Sequence, residues 1–496
     1  MQRFGRLKKI LIQHNLHYLL LLFFFCLNGY RIFRDLVAVD SLVVFFISVA
    51  LTFLFLSFLL KKFGWDQIRI GMILLYFMFL FLFFGNIEDG FSGLKALVFL
   101  SEPLYFIPFI FLVSVLVVMV IRKVNSFFLF RSFVNTVLLI WVLSEIFFIT
   151  FKKKDKEFFR VEDMRVKSLV HHKKLPVYLV VLDEYGGDST LLKGFNFDNT
   201  HFKSDMIQLG FKDVHHSTAN YPLTVHSVSS TLDMDYLPDD ILTSGYAYGY
   251  KYGLTRIREN KTAAIFSKWG YRINNFSFFD FKQAPADFTN IIWGGGARVV
   301  TARCMHARLY KHLISFSHRY HFGFWENRER DHNFNQIHFS LTHSLEEAGK
   351  DTIPSFNFIH ILSPHKPFLF DSSGNKLDYS KIEKGISFSE PAAYLWSVKK
   401  INQLITDWSA KIIKAYQGDV IILIMSDHGP SIRKGEKRKL DNLNLVYVPD
   451  GKNSGWYEGM SNVNQFRVLF NTFFGQQFPI LKDRMIPEVP GDQLAD

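Results

Sequence analysis

The chain has 496 residues, 49% of them hydrophobic and 17% aromatic, and 57 Lys and Arg against 45 Asp and Glu give a formal net charge of +12. Only two cysteines occur, Cys26 and Cys304, which excludes a framework of several disulfides. The basic residues match no nucleic-acid-binding module and are not interleaved with aromatics along one face. The charge is therefore assigned to cytosolic loops and to lysines that contact anionic lipid.

Long apolar runs in the first third of the chain predict membrane-spanning helices, because about 20 apolar residues cross the hydrocarbon core of a bilayer. The predicted spans are 15–33, 38–60, 68–86, 102–121 and 129–150. The first span is too long and too poorly followed by small residues to be a cleaved signal peptide, so we expect it to stay as an anchor. Residues 1–150 are thus predicted to form a transmembrane domain of five helices.

The distribution of Lys and Arg predicts the orientation of these spans. Basic residues are most frequent in the amino-terminal segment and in the loops after the second and fourth spans, which the positive-inside rule places in the cytosol. Five spans then put the rest of the chain outside. The basic cluster FKKKDK at 151–156 argues against this, but it precedes a large domain, where the charge rule is weak.

The pattern changes after the fifth span. Residues 151–175 are charged and mixed, which is typical of a linker or of an amphipathic helix on the membrane. Beyond them, short apolar runs rich in Val and Ile predict strands that are buried on both faces of a sheet, with helices between them. These runs are 176–183, 355–362, 419–426 and 442–449. Residues 176–496 are therefore predicted to form one α/β domain with a central sheet flanked by helices.

Three of the predicted strands are followed by ionisable residues. Asp183 and Glu184 end the first, His365 follows the second, and the pair Asp427 and His428 ends the third. Ligands of open α/β sheets bind beyond the carboxyl ends of strands, and these donors suit a divalent ion such as Zn²⁺ or Mn²⁺. A single Asp after a strand is usually a turn or cap residue. The adjacent Asp-His pair has no packing use, so the combined set favours a metal site.

Five ordered segments resemble the alkaline phosphatase superfamily. They are LDEYGG, NYPLTVHSVSSTL, SPHKPF, SDHG and, at 460–475, MSNVNQFRVLFNTFFG. The set is most similar to the membrane-anchored, sulfatase-like branch that includes lipoteichoic acid synthases and phosphoethanolamine or phosphoglycerol transferases. The resemblance covers most of 176–475, and five spans before an exported domain is also the architecture of that branch. It implies a sulfatase-like catalytic domain on the periplasmic, extracytoplasmic side of the bacterial cytoplasmic (inner) membrane.

The resemblance also implies roles for individual residues. A single divalent metal, with Zn²⁺ favoured over Mn²⁺ or Mg²⁺, is expected on Asp183, Thr224, Asp427 and His428. Glu184 is a further candidate ligand, because related sulfatases use two adjacent acids at this place and the transferases use one. His365 matches the histidine that contacts the phosphoryl group.

Thr224 is the predicted nucleophile among the five Ser and Thr side chains of YPLTVHSVSSTL, 221–232. It follows Pro222 at a predicted helix start, where free N–H groups and the helix dipole favour an alkoxide and an incoming phosphate. Ser227 faces the same side one turn later and is the reserve candidate. The alternative is that Thr224 simply caps the helix.

The function implied by the resemblance is a metal-dependent transferase of phospholipid head groups. Thr224 would take phosphoglycerol or phosphoethanolamine from a phospholipid donor and pass it from phospho-threonine to a cell-envelope glycan acceptor. One alternative is a phosphodiesterase or phosphatase, in which water completes the second step. Another is a non-catalytic membrane scaffold or transporter. Solute paths through a bilayer usually carry ionisable residues, whereas the predicted spans contain almost none, with Glu145 the main exception.

Overall fold

The computed structural model describes residues 15–124, 127–151, 166–169, 174–243, 246–286, 294–320, 323–350, 353–377, 390–430 and 439–486. These residues form two compact units. The membrane unit comprises the described residues of 15–151 together with 294–320. The α/β unit comprises those of 166–286 and 323–486. Most of the predicted linker or interfacial helix at 151–175 lies outside the described residues.

Helices stand at all five predicted spans. They are α1 (His17–Ile32), α2 (Val39–Lys62), α3 (Gln67–Ser92), α4 (Pro103–Lys123) and α5 (Phe128–Phe151). Helices α2 to α5 are long and apolar enough to cross a membrane, whereas the 16 residues of α1 fall short of that length. The length criterion thus supports four spans where five were predicted.

The ends of these helices follow from local sequence. Asp66 precedes α3, and its side chain accepts hydrogen bonds from the backbone N–H groups of Ile68 and Arg69. Pro103 occupies the first position of α4, where its missing N–H costs nothing. Inside α3, Phe83 departs from helical geometry with φ −113° and ψ 16°, so this helix is interrupted near its carboxyl end.

The remaining helices alternate with six strands. The helices are α6 (Asp188–Phe195), α7 (Thr200–Gln208), α8 (Thr224–Asp233), α9 (Asp239–Thr243), α10 (Tyr246–Arg258), α11 (Lys261–Lys268), α12 (Gly294–Thr301), α13 (Met305–Tyr320), α14 (Gly323–Glu346), α15 (Glu390–Ala415) and α16 (Gln465–Phe473). The strands are β1 (Val177–Leu182), β2 (Lys212–Asp213), β3 (Arg272–Phe276), β4 (Ser355–Ile361), β5 (Ile421–Ser426) and β6 (Asn444–Tyr447). The predicted order, apolar helices first and then an α/β domain, is confirmed.

The six strands form one mixed sheet in the order β2-β6-β5-β1-β4-β3. Strands β5, β1, β4 and β3 are parallel, and β6 runs antiparallel to β5. The four predicted strands are β5, β1, β4 and β6. Two strands were not predicted, because β2 has only two residues and the polar sequence RINNF of β3 contains no apolar run.

Both faces of the sheet are buried, which explains the continuous apolar runs. Along β1, Leu179 and Val181 pack into one hydrophobic cluster with α8, α11 and α16, while Val180 and Leu182 pack into a second with α15. The register is level at the carboxyl ends, since Leu182 pairs with Ile361 of β4 and with Ser426 of β5. The residues that follow these three strands therefore emerge at one edge.

The second half of the chain does not belong wholly to the α/β unit. The prediction assigned everything from 176 onward to one exported domain, whereas the structure groups α12 and α13 with the membrane helices. Cys304, between those two helices, is fully buried in a cluster with Leu22, Cys26 and Phe45. This grouping could not be predicted from the sequence, because α13 is amphipathic and carries no apolar run of membrane-spanning length.

Candidate metal centre and nucleophile

Asp183, Asp427 and His428 converge beyond the ends of β1 and β5. One ligand atom from each lies within 4.8 Å of those of the other two, and all three side chains are buried. The level register of the two strands causes this convergence. Two carboxylates and an imidazole are suitable donors for a divalent metal ion, so three of the four predicted ligands form a cluster.

Two carboxylate oxygens of this cluster fit a metal ion. Asp183 Oδ1 and Asp427 Oδ2 are buried and have no hydrogen-bond partner among the residues that the structure describes. Buried polar atoms are nearly always hydrogen-bonded, and an unpaired buried carboxylate is costly. A divalent cation would supply the missing partner for both oxygens.

The pKa shifts of Asp183 and Asp427 also favour a bound cation. Burial raises the pKa of Asp427, and the nearby charge of Asp183 raises it further. Burial also opposes ionisation of Asp183, but neighbouring histidines, foremost His365, outweigh it and keep the pKa of that carboxyl well below its usual range. Two close carboxylates disfavour each other's charge. A bound cation would relieve this conflict.

Thr224 is the first residue of α8 and lies beside the cluster. Its Oγ1 is 3.3 Å from Nε2 of His428. The residue at the cap position is Leu223, whose side chain makes no cap hydrogen bond. The alternative in which Thr224 serves as a plain cap is therefore not what the structure shows. The first N–H groups of α8 have no intrahelical partner, so this end can bind an anion.

The other hydroxyl groups of the stretch are engaged elsewhere. Ser227 Oγ donates to the backbone carbonyl of Asp427 at 2.6 Å. Ser229, Ser230 and Thr231 donate to backbone carbonyls within α8. Ser227 thus supports the loop that carries Asp427, and Thr224 is the hydroxyl that lies next to a ligand side chain.

Glu184 is directed toward His365. Its φ of +58° is in the left-handed region, which is costly for a residue with a side chain and is often found at functional sites. Its N–H donates to Asp427 Oδ1 at 3.0 Å, and its carbonyl accepts from the Tyr394 hydroxyl at 2.9 Å. Its carboxylate Oε1 lies 3.7 Å from His365 Nε2, and Glu184 is not part of the three-residue cluster.

His365 lies at the rim of the site. Its backbone N–H donates to the carbonyl of Asp183 at 3.2 Å, which ties the loop after β4 to the end of β1. Its side chain is 34% exposed, in contrast to the buried ligands. The ring can therefore meet a substrate that approaches the cluster from solvent.

His360 is a residue of the site that the sequence reading missed. It lies on β4, is fully buried, and places Nε2 3.5 Å from Asp183 Oδ2. The rings of Phe278 and Phe279 pack against it at centroid distances of 4.8 and 5.4 Å. The available signal was a histidine inside the otherwise apolar run FIHIL.

Two asparagines support the end of β5. Asn442 and Asn462 donate to the carbonyl of Ser426 at 3.1 and 3.0 Å, and Asn442 also donates to Asn462 Oδ1 at 2.7 Å. Ser426 immediately precedes Asp427. The segment MSNVNQF, quoted for the family resemblance, thus fixes the backbone from which two of the candidate ligands project.

No protein-family model matches the chain, and no curated protein matches it. Solved structures do match. One is the C-terminal periplasmic domain of EptC from Escherichia coli in complex with Zn, at 10% identity and TM-score 0.35, covering 65% of this chain and 94% of that one. Another is the soluble domain of lipooligosaccharide phosphoethanolamine transferase A from Neisseria meningitidis, at 12% identity and TM-score 0.35, covering 63% and 91%.

A third matching structure is a protein in the alkaline phosphatase superfamily from Vibrio parahaemolyticus, at 11% identity and TM-score 0.34, covering 61% of this chain and 67% of that one. Likeness at this level says nothing about substrate or acceptor.

Proposed function

We propose that this protein is a metal-dependent transferase that moves a phospholipid head group onto a cell-envelope glycan through a phospho-threonine on Thr224. The observation that carries the proposal is the position of Thr224, at the open start of α8 with Oγ1 3.3 Å from His428 Nε2. A hydroxyl beside a buried set of metal ligands and unpaired helix N–H groups is suited to attack phosphorus.

Asp183, Thr224, Asp427 and His428 would bind one divalent ion, with Zn²⁺ favoured over Mn²⁺ or Mg²⁺. When bound, that ion would lower the pKa of the Thr224 hydroxyl and neutralise charge on the phosphoryl oxygens.

Thr224 attacks and is later released as the alkoxide, its hydroxyl proton having passed to solvent before the first step. That step forms a bond between Thr224 Oγ1 and phosphorus and breaks the bond from phosphorus to the diacylglycerol oxygen. The exposed ring of His365 donates the proton that the leaving diacylglycerol takes up, and the N–H groups at the start of α8 stabilise the phosphoryl oxygens. In the second step a glycan hydroxyl gives its proton to His365 and attacks phosphorus, which releases Thr224.

The membrane unit suits a lipid donor, because α2 to α5 are apolar enough to cross the bilayer in which that donor resides. We place the α/β unit on the periplasmic, extracytoplasmic side of the bacterial cytoplasmic membrane.

Both cysteines are free and buried in the membrane unit, so the α/β unit contains no disulfide. Disulfide-rich catalytic domains are usual in transferases that modify lipid A, so we favour phosphoglycerol over phosphoethanolamine as the head group.

The test is mass spectrometry of the purified full-length protein after incubation with phospholipid whose head group is isotopically labelled. We expect a labelled phosphoglycerol or phosphoethanolamine adduct on the peptide that contains Thr224. It should be absent from Thr224→Ala and present in Ser229→Ala, whose hydroxyl is engaged within α8. Product formation without any adduct on Thr224 would contradict the phospho-threonine.

A hydrolase is the second candidate, because the exposed rim at His365 also admits water. Product analysis with the same labelled phospholipid separates the two reactions. Labelled glycan supports the transferase, whereas free head-group phosphate without glycan labelling would identify a phosphodiesterase or phosphatase. If Thr224→Ala left cellular function intact, the non-catalytic scaffold would be favoured over both.

A further inference from the structure

Helices α12 and α13, with the corner at 302–304 between them, interrupt the α/β unit in sequence and pack among the membrane helices. We call residues 294–320 the inserted segment. Close contacts along it define where it lies. A Cβ added to Gly29 of α1 would clash with Val300 Cγ1 of α12, so the backbone of α1 and this side chain are in direct contact.

The depth of the segment is set by its contacts with α3. The N–H of Gly85 donates to the carbonyl of Arg303 at 2.8 Å, next to the interruption of α3 at Phe83. Gly85 precedes Ser92, the last residue of α3, by seven residues, or roughly 10 Å at about 1.5 Å per residue. A helix of 26 residues is roughly 39 Å long and exceeds the hydrocarbon core of about 30 Å. Gly85 therefore lies near the boundary between acyl chains and head groups.

Cys304, at the inner end of the corner, lies on the hydrocarbon side of that boundary, while the half-exposed Arg303 side chain reaches Asp89 at 3.5 Å. Cys304 is 0% exposed and shares an apolar cluster with Leu22, Cys26 and Leu82. The ring of His306 stacks on Phe81 with a centroid distance of 5.5 Å and an interplanar angle of 22°. Leu82 and Phe81 precede Gly85 in α3, so these contacts are deeper than the Gly85 hydrogen bond.

The backbone of the corner is compatible with such a depth. Cys304 N–H donates to Thr301 at 2.9 Å, and the Cys304 carbonyl accepts from the N–H groups of Ala307 and Arg308 at 3.1 and 3.0 Å. The carbonyl of Arg303 accepts from α3, as described above. Irregular backbone at membrane depth requires partners within the protein, and the corner has them.

Charged side chains of α13 are paired with the carboxyl end of α3. Arg308 Nη2 donates to both carboxylate oxygens of Asp89 at 2.6 and 2.7 Å, and Nη1 lies 3.7 Å from Glu88. His312 Nε2 lies 2.8 Å from the other oxygen of Glu88, whose side chain is only 5% exposed. Pairing of this kind makes charges acceptable at the level of the head groups.

The outward face of α13 is apolar at two positions one turn apart. Leu313 is 47% exposed and Phe316 is 36% exposed, and positions i and i+3 share a face of a helix. Apolar residues of α3 and α4 are exposed in the same unit, including Phe79 and Leu104. Helix α13 thus exposes apolar side chains, as the helices long enough to cross a membrane do.

We infer that the inserted segment is a second membrane-embedded element. Its corner lies in the hydrocarbon beside α1 and α3, and α13 lies along the head-group layer with Leu313 and Phe316 in contact with the acyl chains of the bilayer. The occupant of this face is lipid, because the contacts with α3 place it at the depth of the bilayer interface. The inference does not depend on the chemistry proposed for Thr224.

Photo-cross-linking of the wild-type, full-length protein tests this without any substitution. The protein is reconstituted in vesicles of phosphatidylethanolamine and phosphatidylglycerol that contain a phospholipid with a photoactivatable acyl chain. After irradiation, we expect lipid adducts on peptides from 305–320 as well as on α2 to α5. Adducts confined to the five amino-terminal helices would overturn the inference.

A spin label provides a second, independent readout. Leu313→Cys and Phe316→Cys are labelled in the same vesicles, with Lys193→Cys as a control on an exposed position of α6. The buried native cysteines remain, and labelled wild-type protein defines the background. We expect the labels on α13 to collide several-fold more with oxygen than with a water-soluble nickel complex, and the control to show the reverse. Equal nickel accessibility at all three positions would overturn the inference.

Discussion

Asp427 shows how one carboxylate can serve two purposes in the site. Its Oδ1 accepts from the N–H groups of Glu184 and His428 at 3.0 and 2.8 Å, which fixes the orientation of the carboxylate. Its Oδ2 is buried, has no hydrogen-bond partner among the described residues and lies 3.3 Å from Nε2 of His428, another candidate ligand. One oxygen therefore organises the loop and the other remains for a cation.

Asp427→Asn should still accept the two backbone hydrogen bonds, but it should no longer offer a charged oxygen to a cation. We expect the variant to fold, to lose bound metal and to lose at least about 100-fold in kcat, because removing even a residue that only supports a metal ligand costs about 10–100-fold. Metal content by elemental analysis and turnover of labelled phospholipid are the measurements. Asp450→Asn, at an exposed position, is the matched control and should change neither.

His360 should act on the metal through Asp183. His360→Phe places a ring of similar size among Phe278 and Phe279, so we expect little loss of stability. The affinity for metal should fall about 10–100-fold, the usual cost of removing a group that orients a ligand. Metal titration followed by calorimetry measures this. The same substitution at exposed His343 is the control, and an unchanged affinity in His360→Phe would refute the role.

Glu184 and His365 should act together on the leaving group. We expect Glu184→Gln and His365→Gln each to lower kcat/KM about 100-fold or more for alkyl phosphodiesters, which need a proton on the leaving oxygen. Nitrophenyl phosphodiesters, whose leaving group needs no proton, should be affected little.

The double variant Glu184→Gln/His365→Gln shows whether the two side chains act as a pair or independently. If the two side chains act as a pair, their combined effect should be clearly smaller than the sum of the single effects in free energy. Metal content should remain unchanged throughout. Loss of metal in Glu184→Gln would instead make Glu184 a ligand, as in the sulfatase pattern.

At the level of elements, α8 is positioned by close packing against α10. A Cβ added to Gly253 would lie 2.6 Å from Val225 Cγ1 and 3.2 Å from the Val225 carbonyl. At Gly249 the nearest atom, Nε2 of His226, would be 3.3 Å away. Because Val225 directly follows Thr224, the glycine at 253 affects the position of this candidate nucleophile more than the one at 249.

Gly253→Ala should therefore be the more damaging of two matched substitutions. Overpacking costs about 1–3 kcal/mol of unfolding free energy, and we expect kcat to fall as Thr224 is displaced. Gly249→Ala should have a smaller effect on both. Thermal unfolding and kcat measure the difference, and equal effects of the two would contradict this account of the α8–α10 contact.

The strands illustrate which elements the sequence could predict. β1, β4, β5 and β6 are central or nearly so, and burial on both faces forces apolar residues at consecutive positions. β3 lies at the edge of the sheet, and the side chains of Asn274 and Asn275 hydrogen-bond to neighbouring groups, so no apolar run is required. Its pairing with β4 depends on tertiary contacts that a local pattern does not encode.

At the scale of the whole molecule, the metal should stabilise the α/β unit alone. Removal of the ion by a strong chelator should abolish turnover and lower the unfolding temperature of that unit, because a ligand at about 100 times its Kd contributes about 2.7 kcal/mol. The helical signal of the membrane unit should persist. Calorimetry and circular dichroism, before and after addition of Zn²⁺, test this, and unchanged turnover without metal would contradict the metal centre.

The division into units was only partly predictable. Apolar length alone locates α2 to α5, because a bilayer demands long runs of apolar residues. The inserted segment has no such run. Arg308 and His312 are instead paired with Glu88 and Asp89, and the backbone of the corner is hydrogen-bonded within the protein. Pairing across more than 200 positions of sequence leaves no local signature.

The sequence by itself predicted the apolar helices, four strands and the candidate site residues Asp183, Thr224, Asp427 and His428, because burial periodicity and short motifs can be read from the residues alone. Only the tertiary structure decided how these residues are used. The level ends of β1 and β5 bring ligand atoms of three candidate residues within 4.8 Å, and Glu184, at a positive φ, places Oε1 3.7 Å from His365 Nε2. The same folding brings His360 to Asp183 and 294–320 to the membrane helices, because such contacts join positions that are distant in sequence.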